Sequence, residues 1–120
     1  MADGHLISIV DDDDSMRDAL VGLVRSLGHD ARGFASAEDF LACDDRFSCA
    51  ITDIQMPGMS GFELKRQLDE RHGTLPVIMI TARSEPGVRE KAISSGAACF
   101  LRKPFETEML VACLKKALER

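Results

Sequence analysis

Apolar and polar residues follow two patterns along this chain, short apolar runs and longer stretches with helical spacing. Apolar runs of four or five residues are typical of buried strands, whereas repeats at i, i+3, i+4 and i+7 are typical of one helix face. The runs predict strands over residues 6–10, 31–34, 48–52, 77–81 and 99–102. Because the two patterns alternate, we predict a parallel sheet with helices on both faces.

The helical stretches carry their own start and stop signals. The first apolar stripe ends before Gly28, a residue suited to a left-handed C-cap, and Ser36 is placed to cap the second helix. The third helix is predicted from residue 60 to about 71. The fourth is predicted to start at Ser84-Glu85-Pro86, with the proline in the first turn, and to end at Ser95-Gly96. The last helix has an apolar stripe over residues 109–118.

Few arrangements of such a sheet satisfy short connections and right-handed crossovers. The common one is the flavodoxin-like, doubly wound order 2-1-3-4-5, in which ligands bind at the carboxyl ends of the first and third strands. We therefore predict this five-stranded α/β fold, with its crevice beside the residues that follow those two strands.

Charged and hydroxyl residues stand where the predicted strands end. Asp11 and Asp12 follow the first strand, Asp53 the third, Thr81 ends the fourth and Lys103 follows the fifth. Parallel strands bring these side chains to one edge, where like charges within about 4–6 Å repel. Such a cluster stabilises a fold poorly, but it suits a divalent cation and a phosphoryl group.

Length and charge narrow the function classes. The 120 residues make one domain, and the net charge of -5 argues against non-specific nucleic-acid binding by this segment. No signal-peptide pattern and no run long enough to span a membrane is present, which predicts a cytoplasmic protein without membrane contact.

The four cysteines, at positions 43, 49, 99 and 113, show neither CxxC spacing nor a nearby histidine partner. This spacing does not indicate a zinc site or a redox motif. Three of them lie in apolar runs, so we expect free thiols that act as small hydrophobic residues in a reducing compartment.

Taken in order, the motifs resemble those of the receiver domain of two-component response regulators, within the CheY-like superfamily. The resemblance runs from Ile7 to Leu118 and rests on four stretches, residues 9–13 (IVDDD), 52–61 (TDIQMPGMSG), 80–82 (ITA) and 96–105 (GAACFLRKPF). Residues 36–41 and 102–106 also resemble the FixJ-like subgroup. That likeness implies a bacterial receiver over residues 1–120, either one that stands alone or one cut from a longer regulator with a C-terminal helix-turn-helix DNA-binding domain.

The resemblance implies that Asp53 accepts a phosphoryl group from a sensor histidine kinase. The domain would catalyse its own phosphorylation and dephosphorylation without being an enzyme in the ordinary sense. Mg²⁺ would be bound by Asp12, Asp53 and the backbone carbonyl of Gln55, with Asp11 acting largely through water. Positioning and charge neutralisation dominate phosphoryl transfer.

Two further residues complete the implied catalytic set. Thr81 would donate its hydroxyl to a phosphoryl oxygen, and Lys103 would pair with the phosphate across a cis Lys103–Pro104 bond. Taken alone, Thr81 is also an ordinary strand residue and Lys103 an ordinary surface cation. Asp13 and Asp14 are interpreted as caps of the first helix, with a supporting role for Asp13 at the site as the alternative.

The same resemblance implies a switch. Phosphorylation would draw Thr81 inward and let Phe100 rotate, changing a face made of the fourth helix, fifth strand and fifth helix; a plain core role for Phe100 is the alternative. The fourth helix, with Pro86 and Gly87 near its start, is expected to be held loosely. Gln55 and Arg83 occupy the positions that tune phosphoryl lifetime in the family, in a direction that the sequence does not give.

Charged residues near this output face have two interpretations, a receiver homodimer interface or a solvated surface. They are Arg89, Glu90, Lys91, Arg102 and Glu108. An OmpR-like dimer is disfavoured, because residues 98–100 read Ala-Cys-Phe where that subgroup has Asp-Asp-Tyr.

Two other function classes fit these residues less well than the receiver does. A haloacid-dehalogenase-like phosphatase needs a second aspartate two residues after the nucleophile, where this chain has Gln55. A degenerate receiver that serves only as a scaffold would lack the acceptor, the threonine or the lysine, and all three are present.

Overall fold

A computed structural model describes residues 4–71, 75–83 and 85–119. The strands are β1 (Leu6–Val10), β2 (Asp30–Phe34), β3 (Cys49–Asp53), β4 (Val77–Thr81) and β5 (Cys99–Arg102). The helices are α1 (Asp14–Ser26), α2 (Ala37–Leu41), α3 (Gly61–Arg71), α4 (Val88–Ser94) and α5 (Thr107–Leu118). Every predicted strand agrees with the structure to within one residue at each end.

The strands form one parallel sheet in the order β2-β1-β3-β4-β5, which confirms the predicted topology. Register places Val10 beside Thr52 and Thr52 beside Met79, while Thr81 is level with Arg102. The carboxyl ends of these strands therefore lie at a common edge, and the residues that follow them are brought together.

Each face of the sheet has its own apolar core. Alternate strand residues such as Ile9, Ile51 and Ile80 pack with α1 and α5, a side that we call the α1/α5 face. Their neighbours along the strands, among them Val10 and Met79, pack with α2, α3 and α4 on the α2–α4 face. The central strands are covered on both sides, which explains why they read as continuous apolar runs.

Most of the predicted helix ends are confirmed. The Ser36 side chain accepts a hydrogen bond from the Asp39 backbone N–H and caps α2. Gly28 and Gly96 have the positive φ of 96° and 90° that the chain needs as it leaves α1 and α4.

The predicted start of α4 is wrong. The helix begins only at Val88, because Pro86 and Gly87 form a turn in which Gly87 has φ 81°. Pro86 therefore lies before the helix instead of in its first turn. Ser84, the predicted cap, lies outside the described residues.

The expectation of four free thiols is also wrong. A disulfide joins Cys99 on β5 to Cys113 on α5, with their Cα atoms 5.8 Å apart. Because α5 packs directly against β5, the two residues come within disulfide distance, which a separation of 14 residues in the sequence does not reveal. Cys43 and Cys49 form no disulfide in the described part of the chain. None of the described helices is long and apolar enough to cross a membrane.

Candidate functional site

Three aspartates form a compact acidic cluster at the carboxyl edge of the sheet. Asp11 and Asp12 follow β1, and Asp53 is the last residue of β3. One carboxylate oxygen from each lies within 4.8 Å of the others, close enough to ligate one metal ion. Asp11 is fully buried, Asp53 is 8% exposed and Asp12 is exposed, so the cluster is open to solvent on one side.

The Asp53 carboxylate lies in an unfavourable electrostatic setting. Its pKa is raised to about 6, chiefly by burial; Lys103 opposes the shift, and the neighbouring Asp11 and Asp12 contribute to it. The Ile54 backbone N–H donates to Asp53 Oδ1 at 2.8 Å. A positive ion at this edge would relieve the repulsion and favour the ionised, nucleophilic carboxylate.

Lys103 supplies one positive charge to the cluster. Its Nζ lies 3.1 Å from Asp11 Oδ2 and 3.8 Å from Asp53 Oδ2. The Lys103 backbone N–H donates to the Thr81 carbonyl at 2.8 Å, and the Lys103–Pro104 bond is cis as expected. The lysine therefore bridges the strand ends that carry the acidic residues.

Thr81 and Gln55 are joined to each other. The buried Thr81 hydroxyl donates to Gln55 Oε1 at 2.5 Å and accepts the Arg83 backbone N–H at 3.1 Å. Gln55 Nε2 in turn donates to Glu85 Oε1 at 3.1 Å. The three side chains make a relay that runs away from the acidic cluster toward the start of α4.

Asp13 caps α1, as predicted, and also supports the site. Its side chain accepts from the Ser15 and Met16 backbone N–H groups, while its own N–H donates to Asp11 Oδ1 at 3.0 Å. Asp14 is instead the first helical residue, where it accepts from Arg17 Nη2 at 2.5 Å.

Gly61 closes the loop that follows the acceptor strand. A Cβ atom built at this position would lie 2.5 Å from the Asp53 carbonyl oxygen. The Gly61 N–H donates to the Ile54 carbonyl at 2.9 Å. The first residue of α3 thus packs backbone against backbone with Asp53, and only glycine leaves room for that approach.

The structure brings Asp11, Asp12, Asp53 and Lys103 together, as predicted. Phe100 lies half-buried against the α2–α4 face, beside Met79 in the register. Arg83 is exposed. Sequence reasoning missed Arg17, whose guanidinium donates to the Asp11 carbonyl at 2.9 Å, and it missed Glu85. Both are single charged residues in helical or loop sequence, and no local pattern marks them.

A parallel sheet in the order β2-β1-β3-β4-β5, with three carboxylates and a lysine at the carboxyl edge of β1 and β3, defines a flavodoxin-like α/β domain with an acidic site. The family model described as response regulator receiver domain matches residues 7–115. This chain belongs to that family, the receiver domains of two-component response regulators.

Individual relatives agree with the family match. The chain is 40% identical over 116 residues to response regulator protein TodT of Pseudomonas putida, covering 95% of this chain and 51% of TodT. It is 34% identical over 119 residues to transcriptional regulatory protein FixJ of Bradyrhizobium diazoefficiens, covering 98% of this chain and 58% of FixJ. The chain thus spans about half the length of these relatives.

A solved receiver matches the whole fold. The crystal structure of FixJ-N superposes with a TM-score of 0.89 at 34% identity, covering 100% of this chain and 97% of FixJ-N. The predicted receiver fold and FixJ-like resemblance are therefore confirmed.

Proposed function

We propose that this domain accepts a phosphoryl group on Asp53 from a phosphohistidine of a sensor histidine kinase, in a Mg²⁺-dependent reaction. The observation that carries the proposal is the convergence of Asp11, Asp12 and Asp53 within 4.8 Å, with Lys103 Nζ 3.8 Å from Asp53. An anionic nucleophile, a cation site and a fixed ammonium are what phosphoryl transfer requires.

In the transfer, an Asp53 carboxylate oxygen forms a bond to phosphorus as the phosphorus–nitrogen bond to the donor histidine breaks. The bonding electron pair leaves with the imidazole, and Asp53 becomes an acyl phosphate. Lys103, held beside Asp11, would move its ion pair to the incoming phosphoryl oxygens. Thr81 would donate its hydroxyl to another of those oxygens.

The acidic cluster fits Mg²⁺, which favours oxygen ligands and commonly keeps several waters. Asp12, Asp53 and the Gln55 backbone carbonyl would hold it directly, and Asp11 through water. When bound, the ion would neutralise charge on the phosphoryl group. A haloacid-dehalogenase-like phosphatase is disfavoured, because Gln55 offers an amide where a general acid would be needed.

The proposed output follows from the relatives, two of which are named as response regulator and transcriptional regulatory proteins. Phosphorylation would move Thr81 and Phe100 and change the surface of α4, β5 and α5. That surface would form a homodimer or contact a C-terminal helix-turn-helix domain, controlling transcription in the cytoplasm of a bacterium. The receiver segment itself would not touch DNA or a membrane.

Intact mass after incubation with acetyl phosphate tests the chemistry, with and without Mg²⁺, for the wild type beside Asp53→Asn. We expect one phosphoryl adduct that requires Mg²⁺ and is lost in the variant. No adduct and no Mg²⁺ binding would support the scaffold alternative instead. Release of free phosphate without an adduct would support the phosphatase.

Arg83 provides a second test, of phosphoryl lifetime. The exposed guanidinium follows Thr81 by two residues, where it could shield the acyl phosphate or pair with it. Arg83→Ala should change the decay rate of the adduct, measured by mass after acetyl phosphate is removed. An unchanged rate would contradict this role.

A further inference from the structure

In this structure the Thr81 hydroxyl hydrogen is bonded to the Gln55 side chain. Thr81 carries one hydroxyl hydrogen, and it is donated to Gln55 Oε1 at 2.5 Å. In its second hydrogen bond the hydroxyl oxygen accepts from the Arg83 backbone N–H. While the bond to Gln55 lasts, the threonine has no hydrogen to offer a phosphoryl oxygen.

Glu85 decides which way the Gln55 amide faces. An ionised carboxylate only accepts hydrogen bonds, so the Gln55 NH₂ group must turn toward Glu85, 3.1 Å away. That orientation turns Oε1 toward Thr81 and forces the threonine to donate. The acidic residue thus sets the direction of every hydrogen bond in the relay, although it does not touch Thr81.

The relay also reaches the output helix. Glu85 lies three residues before α4, and its carbonyl accepts the Val88 backbone N–H at 3.3 Å. The residue that orients Gln55 is therefore also bonded to the first residue of α4.

We propose that Gln55 and Glu85 are positioning residues that form a latch on Thr81. The latch keeps the hydroxyl hydrogen bonded to Gln55 in the resting state and must open for the phosphorylated state to form. This inference rests on the proposed function and extends it, because it assigns the resting state a specific hydrogen-bonded restraint. Opening the latch also frees the segment that leads into α4.

Glu85→Gln is the most direct way to weaken the latch. The new amide can accept or donate, so the Gln55 amide is free to turn its NH₂ group toward Thr81. The threonine then accepts from Gln55, and its hydrogen is available to the phosphoryl group. The substitution preserves side-chain size, which separates the hydrogen-bond effect from a packing effect.

Binding of beryllofluoride, a phosphoryl mimic, measures the effect with Mg²⁺ present and fluorine NMR as the readout. Glu85→Gln should lower the half-saturating concentration about three- to tenfold, the equivalent of one ordinary hydrogen bond. In a Gln55→Ala background, the same substitution should have no effect, because the amide that it acts through is gone. Glu70→Gln, a matched loss of charge at an exposed position on α3, should leave binding unchanged.

Three results would overturn the latch. One is an unchanged half-saturating concentration in Glu85→Gln, and another is an equal change in the Glu70→Gln control. The third is an effect of Glu85→Gln that persists in the Gln55→Ala background, which would show a simple charge effect of Glu85. Urea unfolding without beryllofluoride should show coupling of similar size between the two positions, because a bond present only in the resting state stabilises that state against unfolding as well as against binding of the mimic.

The latch and the proposed function fail in different ways. A wild type that takes up phosphoryl from acetyl phosphate and binds beryllofluoride, with no response to Glu85→Gln, removes the latch alone. A wild type that does neither removes both.

Discussion

The two faces of the sheet are built differently. On the α1/α5 face, helices of 13 and 12 residues pack on the strands, Asp13 caps α1 and a disulfide ties α5 to β5. On the α2–α4 face, the helices have 5, 11 and 7 residues. Gly87 stands at the N-cap of α4, where no described side chain supplies a capping hydrogen bond. Short helices of this kind depend on packing for their stability.

The difference bears on the proposed output surface, because that surface takes one helix from each face. α5 is a helix of 12 residues that the disulfide ties to β5, and α4 is a helix of seven residues with Gly87 at its N-cap. Glu85 links the candidate site to the start of α4, while the disulfide fixes α5 to the strand that carries Phe100. We therefore expect a signal to move α4 against a stationary α5.

Of the differences between the two faces, the disulfide should contribute most to the unfolding free energy. A closed loop of about 15 residues is worth about 3 kcal/mol in the unfolding free energy. The Cys99→Ser/Cys113→Ser double variant should lose about that much in urea unfolding, and dithiothreitol should lower the wild type equally. Cys43→Ser, at a half-buried free thiol, is the control. If dithiothreitol leaves the unfolding free energy of the wild type unchanged, the disulfide does not make this contribution to stability.

A matched pair of valine truncations compares the helices directly. Val24 on α1 is fully buried and Val88 on α4 is 6% exposed. Val24→Ala should lower the unfolding free energy by about 2 kcal/mol and Val88→Ala by about 1 kcal/mol, both measured by urea unfolding. The smaller loss is expected at Val88 because the short α4 helix relaxes more easily around the lost methyl groups. Equal losses would show that the two faces are equally rigid.

Hydrogen exchange sharpens the comparison without any substitution. Amides of α1 should exchange only through near-global unfolding, whereas those of α4 should open locally and exchange at least about tenfold faster. Exchange followed by NMR at neutral pH in the wild type would show it. If α4 is as well protected as α1, the view of α4 as the mobile element is wrong.

The smallest effect concerns Asp53, at the edge where both faces meet. Its pKa rises from 3.8 to about 6 on folding, so between these pH values the folded state holds a proton that the unfolded state lacks. Stability from this group is therefore lost as pH rises through that window. With EDTA present, Asp53→Asn should be about 1 kcal/mol more stable than the wild type above about pH 7, after allowance for solvent screening.

That gain should shrink as the pH falls through the window and approach zero only below about pH 3, where the aspartate is protonated in both states. Urea unfolding at several pH values measures the difference. A gain for Asp53→Asn that is constant with pH would contradict the assigned titration.

Much of the fold was predictable because its signals are local. The apolar runs and the caps at Asp13, Ser36 and Gly28 each act within a few residues. Because Asp11, Asp12 and Asp53 lie at the carboxyl ends of adjacent parallel strands, the sheet brings them together for any conformation of the loops. The Cys99–Cys113 bond and the Gln55–Glu85 contact were missed because they join residues 14 and 30 positions apart. The start of α4 was misplaced because Pro86 suits both a turn and a first helical turn.

The glycine at position 61 has a consequence for how such a domain can change over generations. Any side chain there would press on the carbonyl of the residue that is proposed to carry the phosphoryl group. A library randomised at this position and selected for phosphorylation should return glycine almost alone. A glycine eight residues after an aspartate at a strand end then marks that aspartate as the acceptor, even in a domain whose other acidic site residues have been replaced.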